Sequence, residues 1–296
     1  MEAWISFTIF AAFMQAIRTA GQKRMASELS AMGTTLARYL FGLPFAVIYL
    51  LLVIPEHTAN IITSSLANNT FIIYSSLAGV AQILATMWLI KIFSHRNFAV
   101  GTIFSKTEAI QAAVFGAIFF SAVLSWLGWV AILIGAVGVL ILSLPGRQQA
   151  IELPSIFYGL LSGCSFALTA LWVRSASLSL AENFLQNAAL TLAYMVSIQT
   201  LLCLLYVFVK EQEQLQLLAK RWRAGSFIGV TSALGSIGWY TALTYQEAAL
   251  VRSLGQIEIL FTLVITYLFF GERVTAREYL GITAIIISVL MLLLWV

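Results

Sequence analysis

Charge is scarce in this chain of 296 residues: Asp, Glu, Lys and Arg together make up 9% of it, where a soluble globular protein carries about 25%. Hydrophobic residues make up 61%. That balance excludes a soluble domain and points to an integral membrane protein. A helix that crosses a bilayer needs about 20 mostly apolar residues. The sequence holds ten such runs, at about 3–22, 33–54, 70–93, 97–120, 124–144, 154–175, 184–209, 225–246, 248–270 and 277–296. They use almost the whole length, so function must reside within the membrane.

Cysteine and histidine are scarcer still, at two each. Cys164 and Cys203 lie inside apolar runs without the spacing of metal ligands and read as packing residues. His57 and His95 stand alone in or beside polar joints, so no metal and no other cofactor is expected. A phosphate-cradling glycine loop and a Ser/His/acid arrangement are lacking as well, which counts against an enzyme and against a nucleotide as energy source. The net charge of +4 comes from Lys and Arg in the joints. In a membrane protein it reports orientation, and no nucleic-acid partner is expected.

The joints after odd-numbered runs hold nearly all the basic residues: Lys23 and Arg24, Arg96, Arg147, then Lys210, Lys220, Arg221 and Arg223, then Arg273 and Arg277. The joints after even-numbered runs hold almost none. By the positive-inside rule, both termini are expected on the non-cytoplasmic side of a cell membrane, in a bacterium the inner membrane. The apolar start at Ala3 has no basic region before it, so the first run is expected to remain rather than be cleaved as a signal peptide.

The chain also repeats itself. "WLIKIFSHRNFAV" at 88–100 lies over "WYTALTYQEAALV" at 239–251, an offset of 151 residues, and Glu108 lies over Glu258 at an offset of 150. Phe119-Phe120 matches Phe269-Phe270, and Leu127-Gly128 matches Leu280-Gly281. The chain therefore reads as two five-helix units, 1–150 and 151–296. Five is odd, so the second unit must enter the membrane inverted. Inverted repeats are an architecture of secondary transporters, with the site near the midplane between the repeats.

"LFTLVITYLFFGERVTAREYLGITAIIIS" at 260–288 resembles a helix-pair signature of the EamA-type branch of the drug/metabolite transporter superfamily, here Gly271, Glu272, Arg273, Thr275 and Gly281. "TTLARYLFGLPFAVIYL" at 34–50 is similar to that family's second helix, with Arg38. The first unit carries "FFSAVLSWLG" where the second has Gly-Glu-Arg. The resemblance implies an all-α polytopic membrane protein of ten transmembrane helices in two inverted five-helix repeats. It also implies a secondary transporter of amino acids, other small metabolites or drugs.

A charge at the bilayer centre costs about 2.5–3.5 kcal/mol on the insertion scale, so each deep charge calls for a partner or a wet cavity. The deep candidates are Arg18, Arg38, Lys106, Glu108 and Glu258, whereas Lys91 and Arg252 lie near run ends and are expected to snorkel to headgroups. Lys106 and Glu108 are two residues apart, about 200° around a helix, so each must look to another helix or to a ligand. Gln256 occupies the position matching Lys106. The two carboxylates read as opposite walls of a central site. The competing reading closes each of them into a static ion pair with Arg38 or Arg18. A protonated Glu at that depth would couple transport to a proton gradient.

Trp88 and Trp239 read equally as interfacial belt aromatics and as cavity walls, and Tyr194 and Tyr240 are further wall candidates. The fifth and tenth runs are free of charge in their apolar stretches and read as lipid-facing scaffold. Gly128, Gly135 and Gly138 allow close packing there, and Gly225 and Gly229 read as a packing notch.

The lead expectation is a secondary transporter, an exporter, of small polar metabolites such as amino acids and related zwitterions, working as a monomer or homodimer. Basic Arg18, Arg38 and Lys106 would meet a carboxylate, and Glu108 and Glu258 an ammonium. The alternative is an organic-cation or drug carrier, in which the two carboxylates act with Trp88, Trp239 and Tyr240 as an acidic, aromatic cage. A membrane enzyme or lipid flippase is the alternative from another class.

Overall fold

The computed structural model describes residues 2–54, 58–93, 104–143, 153–270 and 276–295, which are helical and contain no strand. Five helices are long and apolar enough to cross a membrane: Ala3–Met25, Ala31–Val53, Asn69–Ile92, Leu153–Leu178 and Phe184–Lys210. Shorter apolar helices lie at Glu108–Phe119, Trp126–Leu142 and Tyr279–Leu294. The chain is a multi-pass membrane protein.

In chain order the helices are α1 (Ala3–Met25), α2 (Ala31–Leu40), α3 (Leu43–Val53), α4 (Thr58–Ala67), α5 (Asn69–Phe93), α6 (Glu108–Phe119) and α7 (Trp126–Ser143). They continue as α8 (Leu153–Leu178), α9 (Phe184–Lys210), α10 (Glu213–Lys220), α11 (Trp222–Tyr245), α12 (Ala248–Leu254), α13 (Glu258–Phe270) and α14 (Ala276–Trp295). Two of them, α4 and α10, fold from joints that the hydropathy pattern leaves unassigned. His57, His95, Arg96, Gly101, Arg147, Gly271, Glu272, Arg273 and Thr275 lie outside the described residues.

Three apolar runs are not continuous α-helices. Between α2 and α3 the chain turns at Phe41-Gly42 because Pro44, in the first turn of α3, has no N–H to give and its ring opposes the carbonyl four residues back. The fourth run turns at Lys106-Thr107, where the Thr107 hydroxyl donates to Phe104 O at 2.6 Å and competes with the helix ladder. The ninth run passes through a 3-10 turn at Gly255–Ile257. The second run meets α11 at the Phe41 turn: a Cβ on Gly225 would lie 2.4 Å from the Phe41 ring, and one on Gly229 would lie 2.4 Å from the Phe41 carbonyl carbon. That pair is the packing notch the sequence suggested. The eighth run is helical from Trp222, a few residues before its apolar stretch.

Helices of the first half pack on helices of the second: α1 on α11, α5 on α8, α7 on α14, α6 on α12, and α2 and α3 on α9. Small residues permit the close crossings. A Cβ on Gly238 of α11 would lie 2.7 Å from Phe7 O of α1, and one on Gly138 of α7 would lie 2.9 Å from Gly281 O of α14. Ala11, Ala12 and Ala16 of α1 are buried on that seam. The joints sort into two groups. Ser30, which caps α2, donates its backbone N–H to Gln214 Oε1 at 2.9 Å and its hydroxyl to Glu211. Asn68 Nδ2 donates to Ser179 O at 2.8 Å.

Candidate functional site

Glu108 and Glu258 each stand in the first turn of a helix that restarts after a break, α6 after Lys106-Thr107 and α13 after Gly255–Ile257. The positive end of a helix dipole favours a carboxylate by about 0.3–1 kcal/mol in each case. The two breaks face one another. Lys106 Nζ, in the first break, donates to Glu258 Oε2 at 2.5 Å. Gln15 Nε2 of α1 donates to the same oxygen at 2.7 Å, and Gln15 Oε1 accepts from Trp239 Nε1 at 2.9 Å. An indole N–H only donates and a carboxylate only accepts, so the orientation of the Gln15 amide follows from its neighbours.

Arg252 completes the arrangement. Its guanidinium lies 4.6 Å from the centre of the Trp239 ring, and its Nη1 is 3.9 Å from Glu108 Oε1, a charge contact beyond hydrogen-bond reach. Gly255 fixes this geometry, since a Cβ there would lie 2.3 Å from the Trp239 ring.

These groups line a cavity of about 240 Å³, with Gln15, Arg18, Thr19, Ser105, Lys106, Glu108, Arg252, Glu258 and Thr262 on its polar side. Leu89, Leu142, Phe166, Ile259 and Leu263 form its apolar side. A wider groove of about 940 Å³ opens between α1 and α11, but its walls are largely apolar, among them Phe13, Ile17, Met25, Phe227 and Ile228, with charge only at its rim. Within the described residues, the smaller cavity is where buried charge converges.

The structure brings together four of the residues singled out in the sequence, Arg18, Lys106, Glu108 and Glu258, and sets Trp239 directly behind them through Gln15. Trp239 is 5% exposed, which excludes a place in the interfacial belt. The other candidates stand apart from the cavity. Arg38 donates to Thr86 Oγ1 at 2.7 Å and lies 5.1 Å from the Tyr39 ring. Trp88 stacks on Tyr158 at 5.4 Å with Lys91 Nζ 5.2 Å above it. The Tyr194 hydroxyl shares a hydrogen bond with Ser76, and Tyr240 donates to Gln82 Oε1 at 3.2 Å. Gln256 points the other way, between α7 and α14, where a Cβ on Gly135 would lie 2.6 Å from both Gln256 Oε1 and Ser288 Oγ.

Arg252 corrects the sequence reading. Expected at a headgroup, it is 4% exposed and lines the cavity, because α12 ends at the interior break and all seven of its residues are buried. Gln15 went unnoticed as well. Its signal was an amide in the middle of an apolar run, three residues before Arg18. Among the described residues neither carboxylate pairs with Arg18 or Arg38, so the static pairs considered from sequence do not form.

Residues 153–294 match the EamA-like transporter family. The match covers the second of the two five-helix units. EamA-like proteins are membrane transporters of the drug/metabolite type rather than enzymes. A solved crystal structure of another protein is similar to this chain with a TM-score of 0.73 and 10% sequence identity, covering 98% of this chain and 99% of the other. At that identity the likeness shows the fold alone. No curated protein matches the sequence.

Proposed function

We propose that this EamA-like protein is a secondary active transporter of small polar metabolites, amino acids and related zwitterions first among them, exporting them by alternating access around the cavity at the two helix breaks. The observation that carries the reading is the meeting of Lys106 with Glu258, one from each half, at 2.5 Å. A buried pair beside a polar cavity at two broken helices suits a site that must release and rebind charge. Such a pair adds little net stability.

The inverted repeat belongs to the same reading. Exchange each helix for the one of equal rank in the other half, and the pairings of α1 with α11, α5 with α8, α7 with α14, α6 with α12 and α2-α3 with α9 remain the same set. That invariance supports a pseudo-two-fold axis through the site, with units 1–150 and 151–296. In this reading the halves rock about the axis and expose the cavity to one side at a time.

Cavity size weighs against the drug carrier. Pockets for drug-sized ligands run from about 300 to 1,000 Å³, and this cavity is about 240 Å³. Each carboxylate already faces a cation, Glu258 facing Lys106 and Glu108 facing Arg252, so a net cation would join three cations against two carboxylates. The test is counterflow in proteoliposomes loaded with a mixture of unlabelled amino acids. Accumulation of a labelled amino acid that Glu258→Gln abolishes supports the reading, and accumulation of organic cations alone replaces it with the carrier of cations.

A further inference from the structure

The cavity is one anion short. Among the described residues three cations, Arg18, Lys106 and Arg252, face it, against two carboxylates, Glu108 and Glu258. Lys106 is matched by Glu258. Arg252 touches Glu108 only at 3.9 Å, and Arg18 forms no ion pair among the described residues. Both arginines are deeply buried, at 2% and 4% exposure, and the Nε of each lacks a hydrogen-bond partner. An unpaired charge at such a depth is costly, and a bound counter-charge relieves it.

The chemistry of the unspent groups identifies the counter-charge. A guanidinium offers only donors, arranged in a planar fork that fits the two oxygens of a carboxylate. An ammonium needs an acceptor, and the charge of Glu258 is already met by Lys106 at 2.5 Å, with Gln15 on the same oxygen, whereas Glu108 has, among the described residues, only the 3.9 Å contact with Arg252. Counting charges, a solute of net −1 brings the cavity to neutrality, whereas a zwitterion leaves it at +1 and a net cation raises it to +2.

Resting on the transport reading above, we propose that the substrate is an acidic amino acid, with one carboxylate on Arg18 and Arg252 and its ammonium on Glu108. The Lys106–Glu258 pair stays closed beneath it. Arg252 then exchanges its loose contact with Glu108 for a paired one with the substrate, and Trp239 holds the guanidinium plane in place.

The test is thermal stabilisation of the detergent-purified protein by three solutes of similar size, L-glutamate, L-glutamine and L-lysine, which differ in net charge. L-glutamate is expected to raise the apparent melting temperature at a concentration at least about tenfold below that needed for L-glutamine, with L-lysine inert. Arg252→Gln removes the surplus charge, and the order of L-glutamate and L-glutamine is expected to reverse. Arg18→Gln removes the same unit of charge and is expected to give the same reversal, which keeps the test decisive where Arg252→Gln fails to fold. Stabilisation by L-glutamine or L-lysine ahead of L-glutamate overturns the acidic substrate and leaves amino-acid transport standing. Silence from all three overturns both.

Discussion

Lys106 Nζ and Glu258 Oε2 lie 2.5 Å apart although 152 residues separate them in the chain. Lys106 sits in the turn before α6 and Glu258 directly after the 3-10 turn that precedes α13, so the contact joins the two interruptions as well as two charges. Removing one partner strands the other. Glu258→Gln keeps an acceptor for Gln15 but leaves the Lys106 ammonium uncompensated, and with Lys106 partly open to the cavity the expected loss is about 2 kcal/mol. The Lys106→Met, Glu258→Leu double variant removes both charges and is expected to recover most of that stability. It is not expected to recover transport. Thermal melts and counterflow on the parent, Glu258→Gln and the double variant check this, and a double variant no more stable than Glu258→Gln would show that the pair acts independently of its charges.

Two glycines of α11 are expected to behave oppositely. A Cβ on Gly229 would sit 2.4 Å from the carbonyl carbon of Phe41, and backbone does not move aside easily. Gly229→Ala should therefore cost about 1–3 kcal/mol through overpacking at the α2–α3 turn. On Gly235 the nearest atom is Met14 Cβ at 3.4 Å, an ordinary contact. There the helix gains from alanine by up to about 1 kcal/mol, and melting temperatures of the two variants should fall on either side of the parent.

Arg38 and Arg252 separate structural from functional arginine. Arg38 donates to Thr86 and stands apart from the cavity. Arg38→Gln is expected to lower stability by about 1.5–3 kcal/mol, the scale of a hydrogen bond to a charged group. The KM of the protein that survives should be unchanged. Arg252→Gln should change substrate preference. A KM shift for Arg38→Gln as large as that for Arg252→Gln would return Arg38 to the site.

Much of this was legible in the sequence because hydropathy and charge are local. A charge in a greasy run must find a partner, so Lys106, Glu108, Glu258 and Arg18 could be picked out without coordinates. Arg252 could not. Four residues into a run of apolar length, it reads as a headgroup arginine when the run is taken as one continuous helix. The 3-10 turn at Gly255–Ile257 converts that end into an interior one. Hydropathy averages across such a break and does not register it. Gln256 failed for a related reason: the offset of 150 pairs it with Lys106, but a break lets equivalent side chains turn to different faces.

The orientation can be decided by labelling. Ser30 bonds to Glu211 and Gln214, so the joint after α1 and the joint between α9 and α11 lie on one face of the bundle. Asn68 bonds to Ser179, which puts the joints before α5 and after α8 together. The first group holds Lys23, Arg24, Lys210, Lys220, Arg221 and Arg223, and the positive-inside rule assigns that face to the cytoplasm. In a background with Cys164 and Cys203 replaced by alanine, a cysteine at Gln212 should resist a membrane-impermeant maleimide added to intact cells, and one at Ala181 should react. The reverse pattern would place the basic face outside. Because the same pairings hold in either orientation, that result would invert the direction of transport and leave the cavity and its arginines as they are.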